Sequence, residues 1–594
     1  MGRIGRPQQQ LSVDYDVVVI GAGFAGLNAL HNFRARGLRT VVLEAGGGVG
    51  GTWYWNRYPG ARVDIESMEY SYGFSEELQQ EWHWPELYSA QPDVLRYLEW
   101  VADRLGLRKD VRLNHRVRRA EFDESSGTWL IGYTRGDTAT GQAGALRARF
   151  CVMATGFLSA PVLPDIPGLT EFPQVVHTGA WPAEGIALSG QRVGVIGTAA
   201  SGVQVVQTLA QTVGELVVFQ RTANWCFPLR NKAMPPEYER YVKQNYPEIR
   251  RLEMDTRGSG AVLIDRQIVV AETRRALDLS PAERERDWEW RWRSGGVHMG
   301  RSFVDLVTDE KANNLLRQFL VEKIRRQVKD PAIAEKLIPD HPPLTRRPPG
   351  ESGYYEAFNQ PNVRLVDVRS DPIHKVTPHG VVLDSGARHE LDVLICATGF
   401  DSGSGAVLRI EVRGSGGRTL REHWMSGVRT HLGMMVHGFP NLFLLNGPQS
   451  PSAHFSPPVL AHYQSDLACR LLTVMTERAA DWIEPTADAE TQWCEHVNTV
   501  YAGTLIPRTN SWWMGANIPG KPRQALAYGG GFAQYRHRAE SGFGDHLADY
   551  ELGRSGEPGG SGARGADPQR RGQGGRGTDS IAPVGASTND ASAR

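Results

Sequence analysis

Two arginines stand side by side in the stretch TRRPPGESGYY, at Arg346 and Arg347. Prolines and glycines at that density exclude a helix, so both guanidiniums ride on a stiff loop. A guanidinium is a permanent cation with its donors in a fixed fork. Two together suit phosphate recognition, or the stabilisation of an anion that forms during a reaction. An isolated pair of this kind is most often a solvated turn. What else the chain offers for it to bind decides between these readings.

The chain offers two phosphate cradles. Gly21, Gly23 and Gly26 form GxGxxG directly after the apolar run DVVVI. The first glycine permits a tight turn, the second lets backbone approach a pyrophosphate at a helix N-terminus, and the third lets helix and strand pack closely. After a second strand-like run, TVVL, comes Glu44, 23 residues beyond Gly21. A carboxylate there accepts hydrogen bonds from a ribose diol and disfavours a 2′-phosphate. The first cradle therefore suits FAD or NAD. Just downstream, GGVGGTWYWNRYPGARVD sets glycines beside Thr52, Trp53 and other large rings, as packing around a flat cofactor requires, and ends in Asp64.

The second cradle is GVIGTAASG, with Gly197, Thr198, Ser201 and Gly202. Its middle glycine is replaced by Ala199, whose methyl crowds the pyrophosphate approach. At the acidic position, 23 residues beyond Gly197, stands Gln220, followed by Arg221 and Thr222. Losing the carboxylate removes a repulsion, and Arg with a hydroxyl supplies charge-assisted bonds to a 2′-phosphate. This cradle reads as an NADPH site. FAD and NADPH together imply hydride transfer from nicotinamide to flavin.

What takes the electrons next is narrowed by the cysteines. Cys151, Cys226, Cys396, Cys469 and Cys494 include no CxxC pair. That excludes a flavin dithiol reductase, a disulfide framework, a zinc cluster and an iron–sulfur centre, and no metal is expected. Oxygen is the natural acceptor, so a monooxygenase is favoured.

The elements that must position these residues span 594 residues, too many for one core. Lys+Arg and Asp+Glu number 66 each, so no global field exists to hold nucleic acid or an anionic membrane. No apolar run is long enough to span a bilayer, and the N-terminus lacks a secretory h-region. The expectation is a cytoplasmic protein, monomeric or weakly homo-oligomeric, with neither nucleic acid nor membrane as partner.

The motifs resemble those of the type I Baeyer–Villiger monooxygenases. EFPQVVHTGAWP, Glu171 to Pro182, is similar to the family fingerprint FxGxxxHTxxWP: Phe172, His177, Thr178, Trp181 and Pro182 match. The gap from Phe172 to His177 is one residue short and the glycine is missing. GGTWYWNRYPGARVD, GVIGTAASG, FQRT, ATGF, RRPPGESGYY, GPQSPSA and SWWMGANIPGKPR sit in the family's order, over roughly residues 14 to 540.

The resemblance implies an α/β fold with two dinucleotide-binding, Rossmann-like domains for FAD and NADP and a helical insertion in the NADP domain; the glycine-rich, apolar-poor stretch from Gly553 lies outside it and reads from its composition as a disordered C-terminal tail. The expected boundaries are a flexible extension at 1–13, FAD domain at 14–160, NADP domain at 161–226, helical insertion at 227–335, NADP domain again at 336–390, FAD domain again at 391–545, and tail at 553–594. It implies oxidation of a ketone, apolar and cyclic, to an ester or lactone with NADPH and O2 through a C4a-peroxyflavin anion. Ring-expanding enzymes of terpenoid tailoring belong to the same family. By resemblance Arg346, where the family usually has Lys, holds the NADPH 2′-phosphate beside Arg221 and Thr222. Arg347 is the catalytic cation, paired with Asp64. Trp512 contacts NADP and closes over the site, while Trp513 packs. Pro451, Ser452, Ala453, His454 and Phe455 line the substrate pocket, with His454 either packing or binding a substrate oxygen. His177 is structural.

Two other readings stand beside this one. An N- or S-oxygenating flavin monooxygenase works with a protonated peroxide and does not need Arg347. A non-catalytic NADP-binding flavoprotein would account for Ala199 and the shortened fingerprint.

Overall fold

The computed structural model describes residues 12–136, 141–256, 260–264, 266–269, 272–544 and 547–555. The first sheet is organised around the run YDVVVI, the strand Tyr15–Ile20, whose last four residues are buried. Apolar on both faces, such a run belongs inside a parallel sheet covered by helices. It pairs in parallel with Thr40–Leu43 on one side and Gln142–Met153 on the other. The helix Phe24–Ala35 links the first two strands in a βαβ crossover. The eight strands run in the order Glu411–Arg413, His115–Asp123, Thr128–Arg135, Gln142–Met153, Tyr15–Ile20, Thr40–Leu43, Val111–Arg112, and Leu442–Leu444 joins the end of Gln142–Met153.

The second sheet is wholly parallel and repeats the unit. Its order is Val363–Asp367, Glu215–Gln220, Arg192–Ile196, Val393–Cys396, Val175–His177. Val393–Cys396 lies between Arg192–Ile196 and Val175–His177 in this sheet, so the boundary expected at 391 falls too early. The chain returns to the first sheet only with Glu411–Arg413. A buried apolar strand followed by ATGF reads alike in either sheet, and only long-range pairing separates the two.

Between the halves of the second sheet lie the helices Pro236–Glu253, Pro281–Ser294, Glu310–Gln327 and Pro331–Leu337. The last of them ends at Leu337. Three have strong start signals: Ser280 forms a capping box with Glu283, Asp309 caps Lys311 and Ala312, and Asp330 caps Ala332 and Ile333. The insertion serves two cores. Tyr238, Val242, Tyr246 and Ile249 join the core of the first sheet. Trp288, Trp292, Leu316 and Leu320 join the core of the second.

At the C-terminal end, Tyr550–Gly553 pairs antiparallel with Trp482–Pro485, so Gly553 is a strand residue and not the start of a tail. The rest of the expected tail, from 556, lies outside the described residues, as do residues 1–11 of the N-terminal extension. Among the described residues no helix is long and apolar enough to cross a membrane.

Candidate active site

The first cradle is built as its glycines dictate. Gly21 has φ +106°, open to glycine at little cost, and a Cβ there would meet the Ala154 carbonyl oxygen at 2.5 Å. A Cβ on Gly26 would fall 1.8 Å from the Gly21 oxygen, so helix and turn close only on glycine. Gly23 sits against Gly51, whose own φ is +55°. Glu44 emerges from Thr40–Leu43 beneath them and accepts from the Ala22 and Gly46 N–H groups, both at 2.7 Å. Burial pushes its carboxyl up, and these two donors oppose the shift. Thr52 and Trp53 open the short helix Thr52–Trp55; Trp53 Nε1 donates to the Tyr70 hydroxyl at 3.3 Å.

The second cradle repeats the first almost dihedral for dihedral. Gly197 has φ +105°, and a Cβ on Gly202 would lie 2.0 Å from the Gly197 oxygen. Ala199 has φ −82° and ψ −168°, against −83° and −167° at Gly23. Any L-residue adopts that conformation, so Ala199 costs the turn nothing in strain. Thr198 Oγ1 donates to the Thr222 carbonyl at 3.0 Å and ties the cradle to the strand end where Arg221 sits. Gln220 is turned away and donates to the Lys336 carbonyl at 2.7 Å. Ser201 lies beside Tyr58, whose hydroxyl donates to Gln204 at 2.8 Å.

Arg346 joins this end. Burial lowers its pKa, and the charge of Arg221 presses in the same direction. Its Nε is buried without an acceptor. The Asp340 carboxylate opposes both effects, and among the described residues neither Arg346 nor Arg221 is in an ion pair.

Arg347, the next residue, points the other way. Its Nη2 donates to both oxygens of Asp64, at 2.6 and 2.7 Å, and Nε reaches Oδ2 at 3.1 Å. The Asp64 carboxylate raises the guanidinium's pKa despite burial, so the charge is held firmly. The Arg347 side chain is 38% exposed and that of Asp64 19%. The exposed part faces a cavity of about 1620 Å³ that both cradles open into. The loop is held at both ends. Asn224 Nδ2 donates to the Arg347 carbonyl at 3.1 Å, and Tyr354 and Tyr355 are fully buried. On the other side, Gln204 donates to the Arg62 carbonyl at 3.1 Å and steadies the segment that carries Asp64.

Around this pair the cavity wall is mainly apolar. Ser452, Ala453, His454 and Phe455 line it, with Trp512, Trp513 and Ile506. Pro451 does not reach the wall; it opens the turn Pro451–Ala453 and is buried behind it, a correction to the expected pocket. Phe455 stacks on Phe532 at 4.1 Å. His454 Nε2 lies 2.5 Å from the Tyr501 hydroxyl, and its ring packs on Trp513 at 4.4 Å. Burial, then the charge of Arg347, lowers its pKa to about 4, so it is neutral. Trp512 is half-buried against Phe157 at 5.9 Å, and its carbonyl accepts from Ser402. His177 is buried, accepts from the Gly179 N–H at 2.9 Å and stands edge-on to Phe400. It does not reach the cavity wall.

Sequence reasoning missed Tyr70, Tyr501 and Arg301. None sits in a motif. Each is brought to the cavity by long-range packing, and only Trp53 beside its glycines hinted that a partner such as Tyr70 was needed.

The residues present fit the two cofactors. The glycine cradles would be filled by a Cβ, Glu44 waits at the ribose position of the first, and Arg221 with the orphaned Arg346 Nε waits at the second. The five cysteines are free and buried.

A family model described as pyridine nucleotide-disulphide oxidoreductase matches residues 18–256. The chain is 39% identical over 525 residues to the acetone monooxygenase (methyl acetate-forming) of Gordonia sp. (strain TY-5), covering 88% of this chain and 96% of that one. It is 38% identical to the Baeyer–Villiger monooxygenase of Pseudooceanicola batsensis, covering 89% and 94%. The crystal structure of the OTEMO complex with FAD and NADP is similar at TM-score 0.84 and 38% identity, covering 91% of this chain and 100% of that one. Identity at this level over nearly the full length of both partners carries more than a shared fold: the chain belongs to the Baeyer–Villiger monooxygenases, enzymes that depend on FAD and NADPH.

Proposed function

We propose that the Asp64–Arg347 pair is the catalytic centre of a ketone oxidation that yields an ester or lactone. The observation that carries this reading is the bidentate pair itself, with its guanidinium opening on the cavity between the cradles. Bound FAD, reduced by NADPH, supplies the oxygen chemistry. The chain supplies position and charge. Arg347 presents a cation that cannot lose its proton to the point where an oxyanion develops, and Asp64 fixes the fork's direction. The apolar side chains beside the pair, Ala453, Phe455 and Ile506 among them, strengthen that electrostatic effect by lowering the local dielectric. Tyr70, whose hydroxyl burial pushes up to about 12, stays neutral and carries the Trp53 contact beside the pair.

Arg221, Arg346 and Thr222 grip the 2′-phosphate of NADPH, and Trp512 covers the junction between the two nucleotide sites. Phe455, Trp513 and Ile506 favour a ketone with an apolar, cyclic body.

The test is turnover of a panel of cyclic ketones with NADPH, with products identified by mass spectrometry. Lactone formed in step with NADPH consumption is expected. Oxygenation of sulfides or amines alone, with every ketone returned unchanged, would overturn the reading.

A further inference from the structure

The cavity wall holds another arginine that the ketone chemistry leaves unused. Arg301 ends the turn Val297–Arg301 and lines the cavity. Among the described residues its guanidinium has neither a hydrogen bond nor an ion pair, and its Nη1 is shut off from solvent without an acceptor. Burial lowers its pKa, with only Glu69 pulling the other way.

The neighbouring charges are committed elsewhere. Arg291 bonds Asp287 at 2.6 Å, and Arg250 bonds Glu253 at 2.9 Å. His298 is held neutral by burial and by the charges of Arg301 and Arg291. Glu69 accepts from the backbone N–H groups of Val262 and Leu263. Burial and the nearby Glu253 and Glu66 hold its carboxyl well above the usual range, so it is a weak counter-charge.

A guanidinium partly withdrawn from water without an anion is costly, and such a group on a cavity wall marks a place where a ligand brings the missing charge. The cofactor's 2′-phosphate has its own receptor in Arg221 and Arg346. Arg301 stands instead on the side of Glu69, whose neighbour Tyr70 feels both Asp64 and Arg347. Tyr70, Asp64 and Arg347 line the same cavity as Arg301.

Resting on the reading of this cavity as the ketone site, we propose that Arg301 receives an anionic group carried by the substrate. The preferred substrates are then keto acids: an apolar, cyclic ketone with a carboxylate on the same skeleton.

The experiment compares a cyclic keto acid with its methyl ester, as kcat/KM for wild type, Arg301→Met and Arg301→Lys, alongside FAD content and the KM for NADPH. Wild type should prefer the acid. Arg301→Met should lower the acid-to-methyl-ester ratio by at least about tenfold, and Arg301→Lys should restore part of it. The wild-type preference stands as a test even if a variant fails to fold. Equal loss for acid and methyl ester would mean a structural role and would overturn the proposal. So would a raised KM for NADPH with the ratio intact, which would move Arg301 to the cofactor. Wild type that oxidises neutral cyclic ketones but ignores the keto acid overturns this proposal and leaves the ketone reading standing. Wild type that oxidises no ketone removes both.

Discussion

At the scale of single residues, the site divides one loop between two tasks. Arg346 and Arg347 are neighbours in sequence, yet one faces Arg221 and the other Asp64. The division makes separable predictions. Arg347→Ala should keep FAD and NADPH oxidation but lower ester formation by about a hundredfold or more, the usual cost of removing one donor to a developing oxyanion. Retained ester formation would remove Arg347 from the chemistry. Arg221→Ala should raise the KM for NADPH by about ten- to a hundredfold, as expected for a lost charged hydrogen bond, and leave that for NADH nearly unchanged. Equal weakening of both would place Arg221 away from the 2′-phosphate. These residues were legible because charge type and spacing announce them, and the resemblance supplied the link between Asp64 and Arg347, 283 positions apart. Arg301 was not legible. One arginine among 66 basic residues carries no mark until folding strips it of partners.

At the scale of elements, the two βαβ units differ in what they demand of their glycines. Gly26→Ala should abolish FAD retention, because a Cβ 1.8 Å from the Gly21 oxygen has nowhere to go. Ala199→Gly should change the KM for NADPH by less than about threefold, since the backbone at Ala199 already matches that at Gly23. Flavin absorbance after gel filtration reads the first and steady-state kinetics the second. A yellow Gly26→Ala protein would contradict the packing argument. The GxGxxG signals exposed both units in the sequence because they are local. The sheet membership of Val393–Cys396 was hidden because it depends on partners some two hundred residues away: its central neighbour is Arg192–Ile196.

At the scale of the whole molecule, burial of neutral histidines makes stability depend on pH. His454 and His496 both have pKa values lowered to about 4, first by burial and then by a nearby arginine. The unfolded chain binds these protons near its ordinary value of 6.5 and the folded chain resists them. Their contribution is therefore present above 6.5 and is lost as pH falls through about 4. The Tm should fall over that window, and His496→Asn should make the fall shallower by about 1 kcal/mol, allowing for its partial exposure. An unchanged slope would mean that other groups set the acid limit.

The measurement to make before the others is ester yield per NADPH consumed, with a cyclic ketone under isotopically heavy oxygen gas. If Asp64 and Arg347 serve the cavity as argued, each NADPH consumed gives one ester carrying one heavy oxygen atom, and Arg347→Ala breaks that coupling without releasing FAD. Hydrogen peroxide formed in step with NADPH, and no labelled ester from wild type, would contradict it.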